Sequence, residues 1–133
     1  DIGMTETSVG FDTAVAVATE ALDRLQPTAA SHDRIMILEV MGRDAGHIAL
    51  AAGIAGGADV ILIPEIAYSI DAVAAKIRAV KESGRNFGLI VVSEAVKTVD
   101  GEKYMMEYPD GQKRYGGIGN YISAKLAAAT GSE

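Results

Sequence analysis

Three apolar runs in this chain lead into segments that carry charged residues. Ile35-Met36-Ile37-Leu38 leads into Glu39-Val40-Met41-Gly42-Arg43-Asp44-Ala45-Gly46; Val60-Ile61-Leu62-Ile63 is closed by Pro64-Glu65; and Phe87 to Ser93 is followed by Glu94. A strand that turns at a glycine into a helix is where α/β proteins place their ligands, beyond the carboxyl ends of the strands. Arg43 at such a corner would add a guanidinium fork to the backbone N–H groups and dipole of a helix N-terminus, a combination suited to phosphate or another anion. The alternative is an ordinary strand-to-helix turn with a solvated arginine. If the three strands are neighbours, Arg43, Glu65 and Glu94 lie along one edge of a sheet. Carboxylates there accept hydrogen bonds from sugar hydroxyls, so a phosphorylated sugar fits better than a nucleobase or an apolar ligand. Glu65 also reads as a post-strand loop acid, and Glu94, so close to a buried strand, requires a partner in either case.

Other chemistry is weaker. Ser31-His32-Asp33 does not read as a Ser/His/Asp site, because adjacent residues on one short segment do not usually form a nucleophile–base–orienter line; His32 reads as a loop or capping residue. Arg34, just before a strand, is either exposed or a second anion contact. Gly56-Gly57 is a helix stop, and neither a Walker A pattern nor G-x-G-x-x-G occurs.

The elements that must carry these residues follow from periodicity. Residues 1–10 are polar and read as loop. Apolar residues at helical spacing (Phe11, Val15, Ala18, Leu22, Leu25) predict a helix ended by Pro27, with a polar connection over 28–33. Arg34 to Val40 reads as a buried strand, Gly42 to Gly57 as a helix with Arg43 at its start, and Val60 to Ile63 as a second buried strand. Ser69 is the expected N-cap of a helix over 70–81, whose face is Ile70, Val73, Ile77 and Val80. Phe87 to Ser93 is a third buried strand. Residues 96–116 carry Asp100-Gly101 and Asp110-Gly111 among tyrosines and methionines, which fits a hairpin or two, or a surface excursion. A last helix runs from Gly116 to Thr130, with Ile118, Ile122, Leu126 and Ala129 on one face. Helices alternating with strands imply an α/β fold: an open, Rossmann-like three-layer sandwich around a mainly parallel sheet.

Composition narrows the function. The 133 residues form one domain's worth of chain, with 49% hydrophobic and 23% charged residues and a net charge of −6. That balance argues against a nucleic-acid surface and against an anionic membrane. The absence of cysteine removes disulfides, thiol nucleophiles and thiolate metal sites. No apolar run reaches the about 18 residues of a membrane span, and no signal-peptide pattern is present. The chain starts at Asp1 without methionine and ends just past a helical pattern, so a piece of a longer protein is expected.

The residues become specific when read in series. Thr28-Ala29-Ala30-Ser31-His32-Asp33-Arg34, Glu39-Val40-Met41-Gly42-Arg43, Gly53-Ile54-Ala55-Gly56-Gly57-Ala58-Asp59 and Ile63-Pro64-Glu65, in this order, resemble the 6-phosphofructokinase family. Asp1-Ile2 and Gly10-Phe11-Asp12-Thr13-Ala14 resemble the segment after that family's catalytic loop, and Thr130-Gly131 a later motif. The resemblance covers nearly the whole chain, which would be the single substrate-binding (small) domain of the phosphofructokinase fold. Residues 97–115 look like an insertion relative to the short bacterial enzymes.

The resemblance implies phosphorylation of fructose 6-phosphate to fructose 1,6-bisphosphate in glycolysis, with ATP or pyrophosphate as donor and Mg2+ as cofactor, in a cytoplasmic homodimer or homotetramer. Met41, Gly42 and Arg43 match the segment that contacts fructose 6-phosphate, and Arg43 also matches a stabiliser of the transferring phosphoryl group. Glu94 matches the acid that binds sugar hydroxyls. Arg34 matches an arginine that crosses a subunit interface to the neighbouring site. Asp1 matches an aspartate of the catalytic loop near magnesium and the reacting phosphate. Glu65 has no counterpart. The catalytic base would precede Asp1, the Gly-rich nucleotide half is missing, and the remaining phosphate-binding arginine and histidine would follow Glu133. The isolated chain is therefore expected to be inactive. At the family's effector site Gln26, Ser83 and Phe87 replace basic residues while Arg85 and Asp59 keep their character, which argues against regulation by ADP or phosphoenolpyruvate. A non-catalytic sugar-phosphate or effector-binding module of the same family is the other reading.

Overall fold

The structure, a computed structural model, describes residues 10–32 and 34–130. Its centre is β3 (Gly88–Ser93), every residue of which is buried. Six consecutive residues without water on either face require apolar side chains pointing both ways, and Leu89-Ile90-Val91-Val92 supplies them. Burying each such aliphatic side chain contributes about 1.5–3 kcal/mol. β1 (Ile35–Val40) and β2 (Val60–Leu62) pair with β3 on either side, both parallel, giving the order β1-β3-β2. The register sets Ile37 beside Ile90 and Val40 beside Ser93 on one flank, and Ile61 beside Val91 on the other.

Helices cover both faces, as expected of three layers. α1 (Phe11–His32) and α2 (His47–Gly56) pack on one face, where Ala18, Leu22, Ala49 and Ala52 meet Val40 and Val91. α3 (Ile70–Glu82) and α4 (Ile118–Thr130) pack on the other, where Val73, Ile77, Ile118, Ile122 and Leu126 meet Leu62, Ile90 and Val92. Alternation along β3 thus decides which helix pair each residue supports. Between β3 and α4 the chain makes one antiparallel hairpin, β4 (Met105–Glu107) with β5 (Lys113–Tyr115), its turn at Asp110-Gly111. Asp100-Gly101 closes a separate tight turn, with Gly101 N–H donating to Thr98 O at 2.9 Å.

Ser69 caps α3 as expected, its hydroxyl accepting the Ala72 N–H at 3.1 Å. Three expectations are corrected. Pro27 does not end α1, which continues to His32. A proline inside a helix removes one backbone bond, but the turns beyond it are held by tertiary packing: Ala29 is fully buried beside Phe87 and Leu89, and Asn86 donates to Ala30 O at 2.5 Å. β1 and β2 are mostly half-buried, because each pairs along only one edge. And α2 begins at His47 instead of Gly42, with Gly46 as its N-cap, so Arg43 lies in the turn before the helix.

Candidate functional site

All three strands are parallel, so their carboxyl ends lie along one edge, with β3 in the middle. Glu94 therefore leaves the sheet between the turn that follows β1 and the loop that follows β2. The sequence expectation that Arg43, Glu65 and Glu94 share an edge holds. What they do there differs from a helix-terminus anion site.

The β1 ladder runs one bond past its last residue, Glu94 N–H donating to Val40 O at 2.9 Å. The chain then turns sharply. Ala45 N–H donates to Gly42 O at 3.1 Å, and Ser93 Oγ donates to Ala45 O at 3.3 Å. A Cβ at Gly42 would stand 2.5 Å from Ala45 O, so no other residue fits without moving the turn. Arg43 is the one described non-glycine residue with positive φ, at 52°, a conformation that costs L-residues free energy and persists where the surroundings impose it.

The imposing group is Glu94. Its Oε1 accepts both the Gly42 N–H at 3.0 Å and the Arg43 N–H at 2.8 Å. The donors that spacing assigned to a ligand are spent on the protein's own carboxylate. Glu65 does the same next door: its Oε2 accepts the Gly46 N–H at 3.1 Å and so sits at the N-terminus of α2, where a negative charge is favoured. Among described residues no hydrogen bond reaches Glu94 Oε2, which leaves that oxygen with its acceptor capacity unused. Arg43 itself is exposed, and Met41 beside it keeps 65% of its surface in contact with solvent. The edge thus offers a guanidinium, a carboxylate oxygen and an apolar side chain side by side.

Two further acids act on the same turn and were not singled out from sequence. Glu39 points from β1 toward α4, where its Oε2 accepts the Gly117 N–H at 3.1 Å and its Oε1 the Gly119 N–H at 2.8 Å. Asp44 accepts a hydrogen bond from the Tyr115 hydroxyl at 2.5 Å. That bond pushes the Tyr115 pKa above its ordinary value, helped by slight burial and by the charges of Asp44 and Glu94. The signal for Glu39 was present, since an acid inside an apolar strand must find donors. The Tyr115–Asp44 contact had none.

The remaining expected residues lie elsewhere. Arg34 precedes β1 at the opposite end of the strand, so at a rise of about 3.3 Å per residue it is roughly 20 Å from the Arg43 turn. Its backbone is fixed there, donating to Ala29 O and accepting from Gly88 N–H. Asp1 lies outside the described residues, and among the described residues no group of three or more His, Cys, Asp or Glu side chains could hold a metal ion. Asp59 and Arg85 form an ion pair, and Asp59 Oδ2 also accepts the Leu89 N–H at 2.9 Å, while the Arg85 guanidinium stacks 4.7 Å from the Phe87 ring centre. A cavity of about 220 Å³ opens between the β2–α3 loop and the segment after β3, lined by Pro64, Tyr68, Lys97 and Val99 among others, but by neither Arg43 nor Glu94. The candidate site is the open sheet edge.

Among known proteins, the family model described as phosphofructokinase matches residues 1–133. The chain is 64% identical over 133 residues to the ATP-dependent 6-phosphofructokinase 1 of Nostoc sp., matching all of this chain and 37% of that protein. It is 52% identical over 134 residues to the ATP-dependent 6-phosphofructokinase of Chloroflexus aurantiacus, again over its full length and 36% of the relative. The chain therefore spans a little over a third of the length of these curated relatives. Among solved structures, phosphofructokinase from Saccharomyces cerevisiae superposes with a TM-score of 0.78 at 29% identity, over 95% of this chain and 16% of that one. The pyrophosphate-dependent phosphofructokinase from Nitrosospira multiformis gives 0.77 at 28% identity, over 100% and 33%.

Proposed function

The chain belongs to the phosphofructokinase family, and on that premise we propose that it is the small, substrate-binding domain of a 6-phosphofructokinase, carrying the fructose 6-phosphate side of the active site. The observation that carries this reading is the Met41-Gly42-Arg43 turn, held in its strained conformation by Glu94 Oε1 while Arg43 stays exposed and no described group bonds Glu94 Oε2.

In this reading the sugar lies along the carboxyl edge of the sheet. Glu94 Oε2 accepts from a sugar hydroxyl, Met41 covers an apolar face of the ring, and Arg43 donates to the phosphoryl group as it moves from donor to the sugar oxygen. Phosphoryl transfer depends on positioning and on neutralising charge over the equatorial oxygens. A left-handed arginine clamped at its own amide supplies both, because its backbone is already fixed when the charge develops. Arg34, at the far end of β1, serves the sugar phosphate of a neighbouring subunit in a homo-oligomer. ATP is the proposed donor: the 64% identical relative is named ATP-dependent, whereas the pyrophosphate-dependent structure is 28% identical. The described residues do not form a cation site by themselves. Magnesium, which the family resemblance pairs with Asp1, would supply neutralisation of the donor phosphates when bound.

The test is Arg43→Ala in the full-length enzyme, assayed with fructose 6-phosphate and ATP. Removing one donor aimed at transition-state charge costs about 10²–10³-fold in kcat. Normal turnover by the variant refutes the role of Arg43. A wild-type enzyme that binds the sugar phosphate without turnover refutes the catalytic reading.

A further inference from the structure

The hairpin looks peripheral: every residue of β4 is exposed, and β5 is exposed except for half-buried Tyr115. Yet Tyr115 reaches back to the turn that carries Arg43, and the residues just after it are gripped by β1. Glu39 and Asp44 flank the Met41-Gly42-Arg43 turn on its two sides in sequence. Both hold one short stretch of chain: Asp44 takes the Tyr115 hydroxyl, and Glu39 takes the Gly117 and Gly119 amides. Residues 115–119 therefore lie across the turn as a splint, fastened before it and after it.

The turn needs such a constraint. Glu94 fixes the Gly42 and Arg43 amides from the β3 side, and Ser93 fixes the Ala45 carbonyl from the same side. Without the tyrosine, no described group holds the side chain of Asp44, the residue immediately after strained Arg43. With Asp44 untethered, the Glu94 and Ser93 bonds alone oppose relaxation of Arg43 toward the right-handed region, a motion that would swing the guanidinium.

We propose that Tyr115 is a positioning residue for Arg43, acting through its hydrogen bond to Asp44, and that the hairpin is thereby part of the substrate site. This rests on the functional reading above, in which Arg43 meets the transferring phosphoryl group. Tyr115 touches no reacting atom.

The experiment uses the full-length enzyme and Tyr115→Phe, which removes one hydroxyl and keeps the ring. We expect kcat with fructose 6-phosphate to fall about three- to tenfold, the scale of one ordinary net hydrogen bond, while KM for the phosphate donor stays within about twofold. Asp44→Asn combined with Tyr115→Phe should be no worse than the more impaired single variant. In an Arg43→Ala background Tyr115→Phe should lower the residual kcat no further, a result that a purely structural tyrosine would not give. An unchanged kcat, or a loss equal in both backgrounds, overturns the proposal while leaving the assignment of Arg43 intact. Hydrogen exchange decides the matter without any turnover: the peptide spanning residues 41–46 should exchange at least about threefold faster in Tyr115→Phe, and identical exchange overturns the proposal even if the enzyme proves inactive.

Discussion

In the proposed reading Glu94 has two tasks on two oxygens, and the pair of substitutions Glu94→Ala and Glu94→Gln separates them. Oε1 accepts two backbone N–H groups, at 3.0 and 2.8 Å. Hydrogen bonds to a charged group contribute about 1.5–3 kcal/mol each. Two donors sharing one oxygen fall short of twice that, and the exposed Arg43 amide can turn to water once freed. Truncation to alanine is therefore expected to cost about 2–3 kcal/mol, read as a shift in the urea midpoint of the full-length protein at constant m. Glutamine keeps an oxygen for both amides and loses only charge assistance, so about 1 kcal/mol is expected. For the sugar both substitutions are costly. With its oxygen on the amides, the substituted glutamine presents an NH2 group where Oε2 of Glu94 accepted a hydroxyl. Losing that charged acceptor raises KM for fructose 6-phosphate about tenfold or more. The expected signature of Glu94→Gln is thus near-normal stability with a raised KM, and that of Glu94→Ala is loss of both. If Glu94→Ala unfolds within about 0.5 kcal/mol of wild type, the ordinary range of surface substitutions, the clamp is not holding the turn and the account of Arg43's conformation is wrong.

Arg85 is already engaged by Asp59 and by the face of Phe87, so the full-length enzyme should show no activation by ADP; a clear rise in activity at subsaturating fructose 6-phosphate would contradict this. Tyr68 donates to Lys97 O at 2.7 Å, and burial, with Tyr121 nearby, pushes its pKa up to about 12. Its folded pKa lies above the unfolded value near 10, so the stability it contributes is fully present below about pH 10 and is lost as pH rises toward 12. The Tm advantage of wild type over Tyr68→Phe should therefore shrink between about pH 9 and 11.5, and an advantage independent of pH refutes the burial argument.

Local pattern was enough wherever one residue's neighbours in sequence decide its environment. Leu89 to Val92 could only be a strand covered on both faces, and Ile118, Ile122 and Leu126 could only be one buried helical stripe. Ser69 announced its own cap. The failures have a common cause, which is a distant residue overriding a local rule. Proline at 27 is a helix stop until Phe87 and Asn86 hold the next turn in place. Gly42 to Gly46 reads as the first turn of a helix until Glu94 and Glu65 take its amides. Tyr115 and Asp44 lie 71 residues apart, with nothing in either neighbourhood to point at the other. That Arg43, Glu65 and Glu94 share one sheet edge was legible, whereas the bonds that shape that edge were not.

Those bonds alter the electrostatic logic of the corner. As read from spacing, it gathered free amides, a helix dipole and an arginine around an anion. In the structure the amides and the dipole are neutralised by Glu94 and Glu65, and Asp44 and Glu39 stand on either side. Four carboxylates and one guanidinium now share the edge, in a chain of net charge −6. A dianionic phosphate brought here alone would meet more repulsion than attraction. The arrangement suits a neutral sugar ring that offers hydroxyls to a carboxylate, with a single cation placed where negative charge moves during transfer. In the proposed reading the phosphate of the substrate would then be held by cations from outside this edge. In the proposed role the acidic edge would also favour Arg43: carboxylates around a single guanidinium repel competing anions until a phosphoryl group arrives.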